Sequence, residues 1–494
     1  MNIIEPIIEH AVRQPNEIAL VHEERVLTYH QLIEAMKKIA KGIQLKGLED
    51  EKIAILSNNR IEFVEVFLGI IYAGCVPILF DPKWSQYEID KVLKLAQPKM
   101  IFFEDMHEEY LQKYPFEQIE KYVFSKRHDA SYDKWLSTLI TEDSGNKAKD
   151  PIFIGFTSGT TGTPKGYERT HDSWLKSFIA TKEAFHLKNL NNVLAPGPFV
   201  QSLSLFALMQ SLYFGGTYYM MTTFDEEKVV KYCRQVPNLI LFLVPTMIEK
   251  LLNLEGVEDI YAQAIISSGA KWSEQSKARA KKLFGATKLY EFYGSSEASY
   301  ISYLDVQQTI QEHIVGQPFP GVAISIRDAQ QCEVSKGEIG LLYVRSEMMF
   351  SRYFQLPEET NAVFHEGWLK TGDYMMQDDT GALHLVGRAN NMLITGGLNV
   401  YPEEVETVLK RHVAVDDMII VGVPDDYWGE RLVACIKWHD SRSLSIEELQ
   451  HFGAQFLASF KLPKQLVTVQ NFIYTSSGKI ARKAMKDWVM EALT

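Results

Sequence analysis

Apolar residues recur at helical spacing between Leu27 and Ile43, where Leu32, Met36, Ile39 and Ile43 are separated by polar positions, and this predicts an amphipathic helix. EKIAILSNN (51–59) then reads as a short apolar strand, Ile61–Tyr72 as a buried helix and VPILFDP (76–82) as a second strand. The longest apolar run, Val66–Phe80, is interrupted by Gly69, Gly74 and Pro77 and is shorter than the roughly 20 residues of a membrane-spanning helix. Strand and helix alternating in this way predict a parallel sheet covered by helices. Strand signals return at PIFIGF (151–156), LILFLVP (239–245) and AIISSGA (264–270).

Beyond Pro318 the texture changes. VAISIRD (322–328), GEIGLLYVRS (337–346) and ALHLVGR (382–388) are short strands with glycine turns, the pattern of an antiparallel, barrel-like portion. After Arg388 a helix is predicted at YPEEVETVLKRH (401–412), strands at DDMIIVGVP (416–424) and RLVACIKW (431–438), and a helix at SIEELQHFGAQFLASF (445–460). The expected architecture is therefore α/β, with a large N-terminal domain over 1–389 and a small α+β domain over 390–494. Ser144–Asp150 is expected to be an exposed linker, and no repeat or low-complexity tract interrupts the chain.

Composition narrows the class. At 46% hydrophobic, 23% charged and 12% aromatic, the 494 residues are globular in usage and exclude a disordered or fibrous chain. A net charge of −12, from 51 basic and 63 acidic residues, argues against a general nucleic-acid surface and a polybasic membrane patch. Cys75, Cys233, Cys332 and Cys435 form no CxxC pair, so neither a disulfide frame nor a zinc site is expected. With an N-terminus lacking the basic start and apolar run of a signal peptide, this predicts a cytoplasmic location and no membrane span.

Four segments carry candidate chemistry. Thr157–Gly166, TSGTTGTPKG, follows a strand and holds hydroxyls, three glycines and Lys165, which suits a phosphate cradle. It is not a Walker A loop, because G-x-x-x-x-G-K-[ST] cannot be laid on it. In YEFYGSSE (290–297), Glu297 follows a Gly-Ser-Ser turn and offers a carboxylate to a hard cation on triphosphate oxygens. In WLKTGD (368–373), Asp373 in a Thr-Gly-Asp turn can accept ribose hydroxyls, with Arg388 able to assist. In SSGK (476–479), Lys479 read alone is an ordinary solvated lysine.

Together these segments resemble the adenylate-forming superfamily of acyl-CoA synthetases, nonribosomal adenylation domains and firefly-type luciferases, along essentially the whole chain. The resemblance implies ATP contacts from Thr157, Ser158, Gly159, Thr160, Thr161, Gly162 and Lys165. It implies an adenine site at Ser268, Gly269, Ala270, Glu291, Phe292, Tyr293, Gly294 and Ser296. Ser296 stands where Thr is usual, and Lys271 and Trp272 where an apolar residue or Pro is common. By resemblance Glu297 holds Mg²⁺, Asp373 and Arg388 hold the ribose, and Lys479 bridges the attacking carboxylate and the α-phosphate. Asn390 takes the place of the hinge residue of a mobile C-terminal domain, and Gly396, Gly397 and Leu398 resemble the loop lining the CoA tunnel.

The acyl site corresponds to PFVQSLSLF (198–206), with Phe199, Gln201 and Ser202 as candidate pocket residues. No acid stands near Val200, so a substrate ammonium would be buried without a counter-charge, and amino acids are disfavoured. The resemblance implies an enzyme that converts a fatty or aryl acid, with ATP and Mg²⁺, to an acyl-adenylate and then to acyl-CoA. A ligase loading an acyl carrier protein and a noncatalytic acyl or nucleotide sensor are the alternatives. Retention of Lys165, Glu297, Asp373, Arg388 and Lys479 argues against the sensor. Oligomeric state is not legible in the sequence.

Overall fold

The structure, a computed structural model, describes residues 2–493 apart from 114–118, 126–130, 141–142, 144, 158–163, 256, 258–259, 271, 312, 396–397, 426–427, 440–441 and 476–478. The chain forms two compact units. One comprises Met1–Ile310, Pro318–Ala323 and Arg345–Gly367, and the other Gln311–Gln317, Ile324–Val344 and Trp368–Thr494.

The predicted alternation builds the first unit. The helix expected from Leu32, Met36, Ile39 and Ile43 spans Tyr29–Leu45, and Thr28 starts it with a capping box to Gln31. The helix Ile61–Tyr72 is buried on every side, as its largely apolar composition requires, and its two acids Glu62 and Glu65 are buried with it. These two helices approach closely at Gly69, where a Cβ would lie 2.6 Å from Ile39 Cγ2. A seven-stranded sheet lies beside them in the order Arg352–Tyr353, Lys165–Arg169, Phe153–Thr157, Val76–Phe80, Lys52–Leu56, Met100–Phe103, Glu120–Val123. It is parallel from Phe153–Thr157 to Glu120–Val123 and antiparallel at the end that carries Lys165. In a second sheet, parallel strands Lys288–Ser295, Ala264–Ser267, Leu239–Leu243, Asn192–Leu194 and Thr217–Met220 run side by side. Ser144–Asp150 includes a pinned stretch of this unit: Lys147 N–H donates to Tyr72 O, and Asp150 Oδ1 accepts from His171 N–H.

In the second unit, Ile339–Arg345, Trp368–Gln377, Leu383–Arg388 and Ile314–Pro318 form the antiparallel portion expected from the glycine-punctuated strands. A further five-stranded sheet is centred on Val415–Asp425 and Gly429–Trp438. Alternate residues of Val415–Asp425 point to opposite faces. Met418 and Ile420 pack with Val405, Leu409 and Leu449, while Ile419, Val421 and Val423 pack with Met485 and Val489.

Two local expectations are corrected. SIEELQHFGAQFLASF is helical only over Ile446–Gly453, because Gly453 presses against Leu462 and Leu409 and the chain turns there. Thr371–Asp373 is no free turn but part of the strand Trp368–Gln377, in which Gly372 supplies a left-handed kink at φ 79°. Among the described residues no helix is long and apolar enough to cross a membrane.

Candidate active site

Thr157 and Lys165 face each other across the antiparallel pair that flanks the Gly/Thr loop. Ser158, Gly159, Thr160, Thr161 and Gly162 lie outside the described residues. Lys165 Nζ stands 5.5 Å from the ring centroid of Tyr353, in cation–π range. The Tyr353 hydroxyl donates to Glu297 Oε1 at 3.0 Å. Burial, and then the Glu297 charge, raise the Tyr353 pKa, so the phenol remains a donor.

Glu297 sits just after the strand Lys288–Ser295, where Gly294 approaches the returning strand so closely that a Cβ would lie 2.1 Å from Ser299 O. Phe350 N–H donates to Glu297 O at 2.7 Å. Behind this turn lies Arg169, 4% exposed, whose guanidinium donates to Met348 O at 2.8 Å, Ser173 Oγ at 3.2 Å and Ser296 O at 3.5 Å. Burial pushes the Arg169 pKa down to about 10. A single half-buried carboxylate with hard oxygens is the donor set Mg²⁺ takes when nucleotide phosphates supply its other ligands, so Glu297 fits that ion. Among the described residues no cluster of three His, Cys, Asp or Glu forms a protein-only metal cage.

Ser267 pairs with Glu291, which places Ser268, Gly269 and Ala270 at the end of the strand beside Glu291, Phe292 and Tyr293. Gly269 takes φ 92°, a conformation that suits glycine. The Glu291 carboxylate is 2.5 Å from the ammonium of Lys277, a fully buried lysine. Phe292 packs edge-on to Tyr300, with centroids 4.7 Å apart. Trp272 is a core residue whose indole donates to Ser276 Oγ at 2.7 Å. Lys271 lies outside the described residues.

In the proposed acyl segment Phe199 is buried against Phe63, and its N–H donates to Asn59 Oδ1 at 2.8 Å. Gln201 precedes, and Ser202 begins, the helix Ser202–Tyr213. Phe206 packs on Trp174 and Phe178, so part of the apolar run is core.

In the second unit Asp373 and Arg388 are register partners on adjacent strands, and Arg388 Nε lies 3.2 Å from the buried Asp373 carboxylate. Arg388 leads directly into the 3₁₀ turn Ala389–Asn391, which holds the backbone of Asn390. Lys479, 91 residues further along, lies within electrostatic reach of this pair. The protein surrounding it and then the Arg388 charge lower its pKa, although the side chain itself still meets solvent, while Asp373 raises it. The Lys479 loop closes through Thr475 N–H to Lys479 O at 2.7 Å and Lys479 N–H to Thr475 Oγ1 at 3.2 Å. It is anchored by Arg482, whose two terminal nitrogens meet both oxygens of Glu406 at 2.7 and 2.6 Å. Leu398 is exposed on the strand Leu398–Val400, whereas Gly396 and Gly397 lie outside the described residues.

Tyr353 and Arg169 were not legible as site residues. Tyr353 is 56 residues from its Glu297 partner, and no local spacing connects them. A buried arginine inside a strand, Lys165–Arg169, is the only signal that could have marked Arg169.

Comparison with known proteins places the chain in a family. The AMP-binding enzyme family matches residues 7–354, and the AMP-binding enzyme C-terminal domain matches residues 404–479. An uncharacterized acyl–CoA ligase of Bacillus subtilis (strain 168), YhfT, is 32% identical over 498 residues, covering 100% of this chain and 99% of that one. A long-chain-fatty-acid–CoA ligase of the same organism is 26% identical, over 97% of this chain and 93% of its own. ATP-bound MatB from Rhodopseudomonas palustris has the same fold, with a TM-score of 0.90 over 100% of both chains at 21% identity. With a match over more than half its length and a full-length relative above 30% identity, the chain belongs to the AMP-binding enzyme family of adenylate-forming enzymes.

Proposed function

We propose that the protein is an AMP-forming acyl-CoA ligase acting on a fatty or aryl monocarboxylic acid. The observation that carries this reading is the Asp373–Arg388 pair, a buried carboxylate and a guanidinium suited to a ribose, with the Lys479 cation within their electrostatic reach.

Activating a carboxylate with ATP requires no acid–base dyad, because the carboxylate is already the nucleophile. The barrier lies in bringing two anions together and stabilising charge at a pentacovalent phosphorus, a task of positioning and electrostatics. A carboxylate oxygen attacks the α-phosphorus as its bond to pyrophosphate breaks. Lys479 neutralises the oxygens where that charge develops, and Lys165 with the loop N–H groups holds the outer phosphates. Mg²⁺ on Glu297 would supply further charge compensation at the phosphate oxygens. In the second half-reaction the CoA thiolate attacks the acyl carbonyl and AMP leaves.

The proposed pivot is Asn390, with 1–389 and 390–494 as the parts that move, and Gly396, Gly397 and Leu398 serving the thiol step. The acid is assigned as apolar from Val200 and the absence of a nearby carboxylate in that segment. The name of the long-chain-fatty-acid–CoA ligase supports the fatty branch of this choice.

The test is ATP–pyrophosphate exchange against fatty and aryl acids of graded size, followed by thioester formation with free CoA and with a holo-carrier protein at equal concentration. Exchange with one acid class and acyl transfer to CoA are expected. Transfer to the carrier alone overturns the choice of acceptor, and no exchange with any acid overturns the function.

A further inference from the structure

The segment 348–354 is stitched both to the turn bearing Glu297 and to the strand bearing Lys165. Phe350 N–H bonds to Glu297 O at 2.7 Å, and Phe354 N–H to Gly166 O at 2.8 Å. Its short strand pairs antiparallel with Lys165–Arg169, Arg352 opposite Glu168 and Tyr353 opposite Tyr167. Arg352 Nε adds an ion pair to Glu168 at 2.8 Å, and Tyr353 N–H donates to Thr360 Oγ1 at 3.0 Å. The Tyr353 side chain, fixed by this frame, touches both functional groups: its hydroxyl binds Glu297 Oε1 and its ring lies under Lys165 Nζ.

We propose that Tyr353 is a positioning residue that orients the Glu297 carboxylate for the nucleotide-bound metal and holds Lys165 beside it for the phosphates. The proposal rests on the ATP-binding reading above. Occupying Oε1 fixes the rotation of the carboxylate and presents Oε2 to the metal. A carboxylate free to rotate would have to lose that freedom on binding, so pre-orientation favours the metal complex specifically. The ring contact keeps the lysine on the same side without neutralising its charge, as a carboxylate partner would.

Calorimetric titration of the full chain with ATP, once with excess Mg²⁺ and once with excess chelator, separates this role from a merely structural one. In the unaltered protein Mg²⁺ is expected to tighten ATP binding. Tyr353→Phe keeps the ring and loses the hydroxyl. It should weaken Mg²⁺–ATP binding about tenfold or more, the effect of one lost hydrogen bond to a charged group, and leave metal-free ATP within about twofold. Combined with Glu297→Gln, Tyr353→Phe should cause no further loss, because the two act through one contact. A full Mg²⁺ increment in Tyr353→Phe, an equal loss with and without Mg²⁺, or a further loss when Tyr353→Phe is added to Glu297→Gln would overturn the positioning role while the functional reading stands. Failure of the unaltered protein to bind ATP overturns that reading, and the inference with it.

Discussion

Lys479 carries a charge that its surroundings oppose. Desolvation and the Arg388 guanidinium lower its pKa, and Asp373 offsets them only in part. For an amine with a depressed pKa, the charged form is complete well below that pKa and is lost as pH rises through it. If charged Lys479 neutralises the α-phosphate, adenylation should have an alkaline limb below the ordinary lysine value of about 10.4. Lys479→Ala should lower adenylation by about 10²–10³-fold, the scale of one lost electrostatic stabiliser. Its residual rate should lack that limb. Thioester formation from supplied acyl-adenylate should be largely spared, since the phosphorus chemistry is already complete. Equal losses in the two half-reactions, or an alkaline limb that survives in the variant, would refute the role.

At the scale of the element, the helix Ile61–Tyr72 holds two acids in a nearly continuous apolar surface, and they behave differently. Glu62 pairs with Arg60 and Arg25, and these charges hold its carboxyl below the usual range against the opposing effect of burial. Glu65 accepts one hydrogen bond, from Tyr132 at 2.7 Å, and burial raises its pKa to about 7. Because the folded pKa lies above the unfolded value of about 4.3, the associated stability is complete below pH ~4 and is lost as pH rises through about 7. The loss is about 4 kcal/mol at about 1.4 kcal/mol per pKa unit. Glu65→Gln keeps an acceptor for Tyr132 and removes the titration. Urea unfolding should therefore favour the variant over the unaltered protein by a margin that grows between pH 4 and 8, most steeply between the unfolded and folded pKa values. A difference independent of pH would contradict the cause assigned to the shift. This helix was legible because its apolar run is bounded by polar Asn59–Arg60 and by Gly74, and the signature motifs were legible because their chemistry is compressed into a few consecutive residues. The overlong helix at 445–460 was misread because apolar spacing continues to Phe460, while the stop comes from Gly453 meeting Leu409 and Leu462 in space. Tyr353 was missed for the same reason: its role depends on strands distant in sequence.

At the scale of the whole chain, an average charge of −12 coexists with local cationic groups where anions would bind, namely Lys165 in one unit and Arg388 with Lys479 in the other. The proposed boundary at Asn390 makes a separate physical claim, that the residues after it carry a core of their own. Among the described residues, both hydrophobic clusters on the faces of the Val415–Asp425 and Gly429–Trp438 sheet draw only on residues between Leu393 and Leu493. About 105 residues is within the size range of independently folding domains. A 390–494 fragment should therefore show a cooperative thermal transition by circular dichroism. A fragment trimmed to the family-matched span 404–479 should not, although it retains most of the central sheet. It lacks Leu393 and Val400 from one cluster, and Met485 and Val489 from the other. It also lacks Arg482, which leaves Glu406 buried without its counter-ion, a loss of about 3–5 kcal/mol for a broken buried pair. Non-cooperative melting of 390–494 would place the boundary elsewhere, and a stably folded 404–479 would show that the two flanking segments are dispensable for this core.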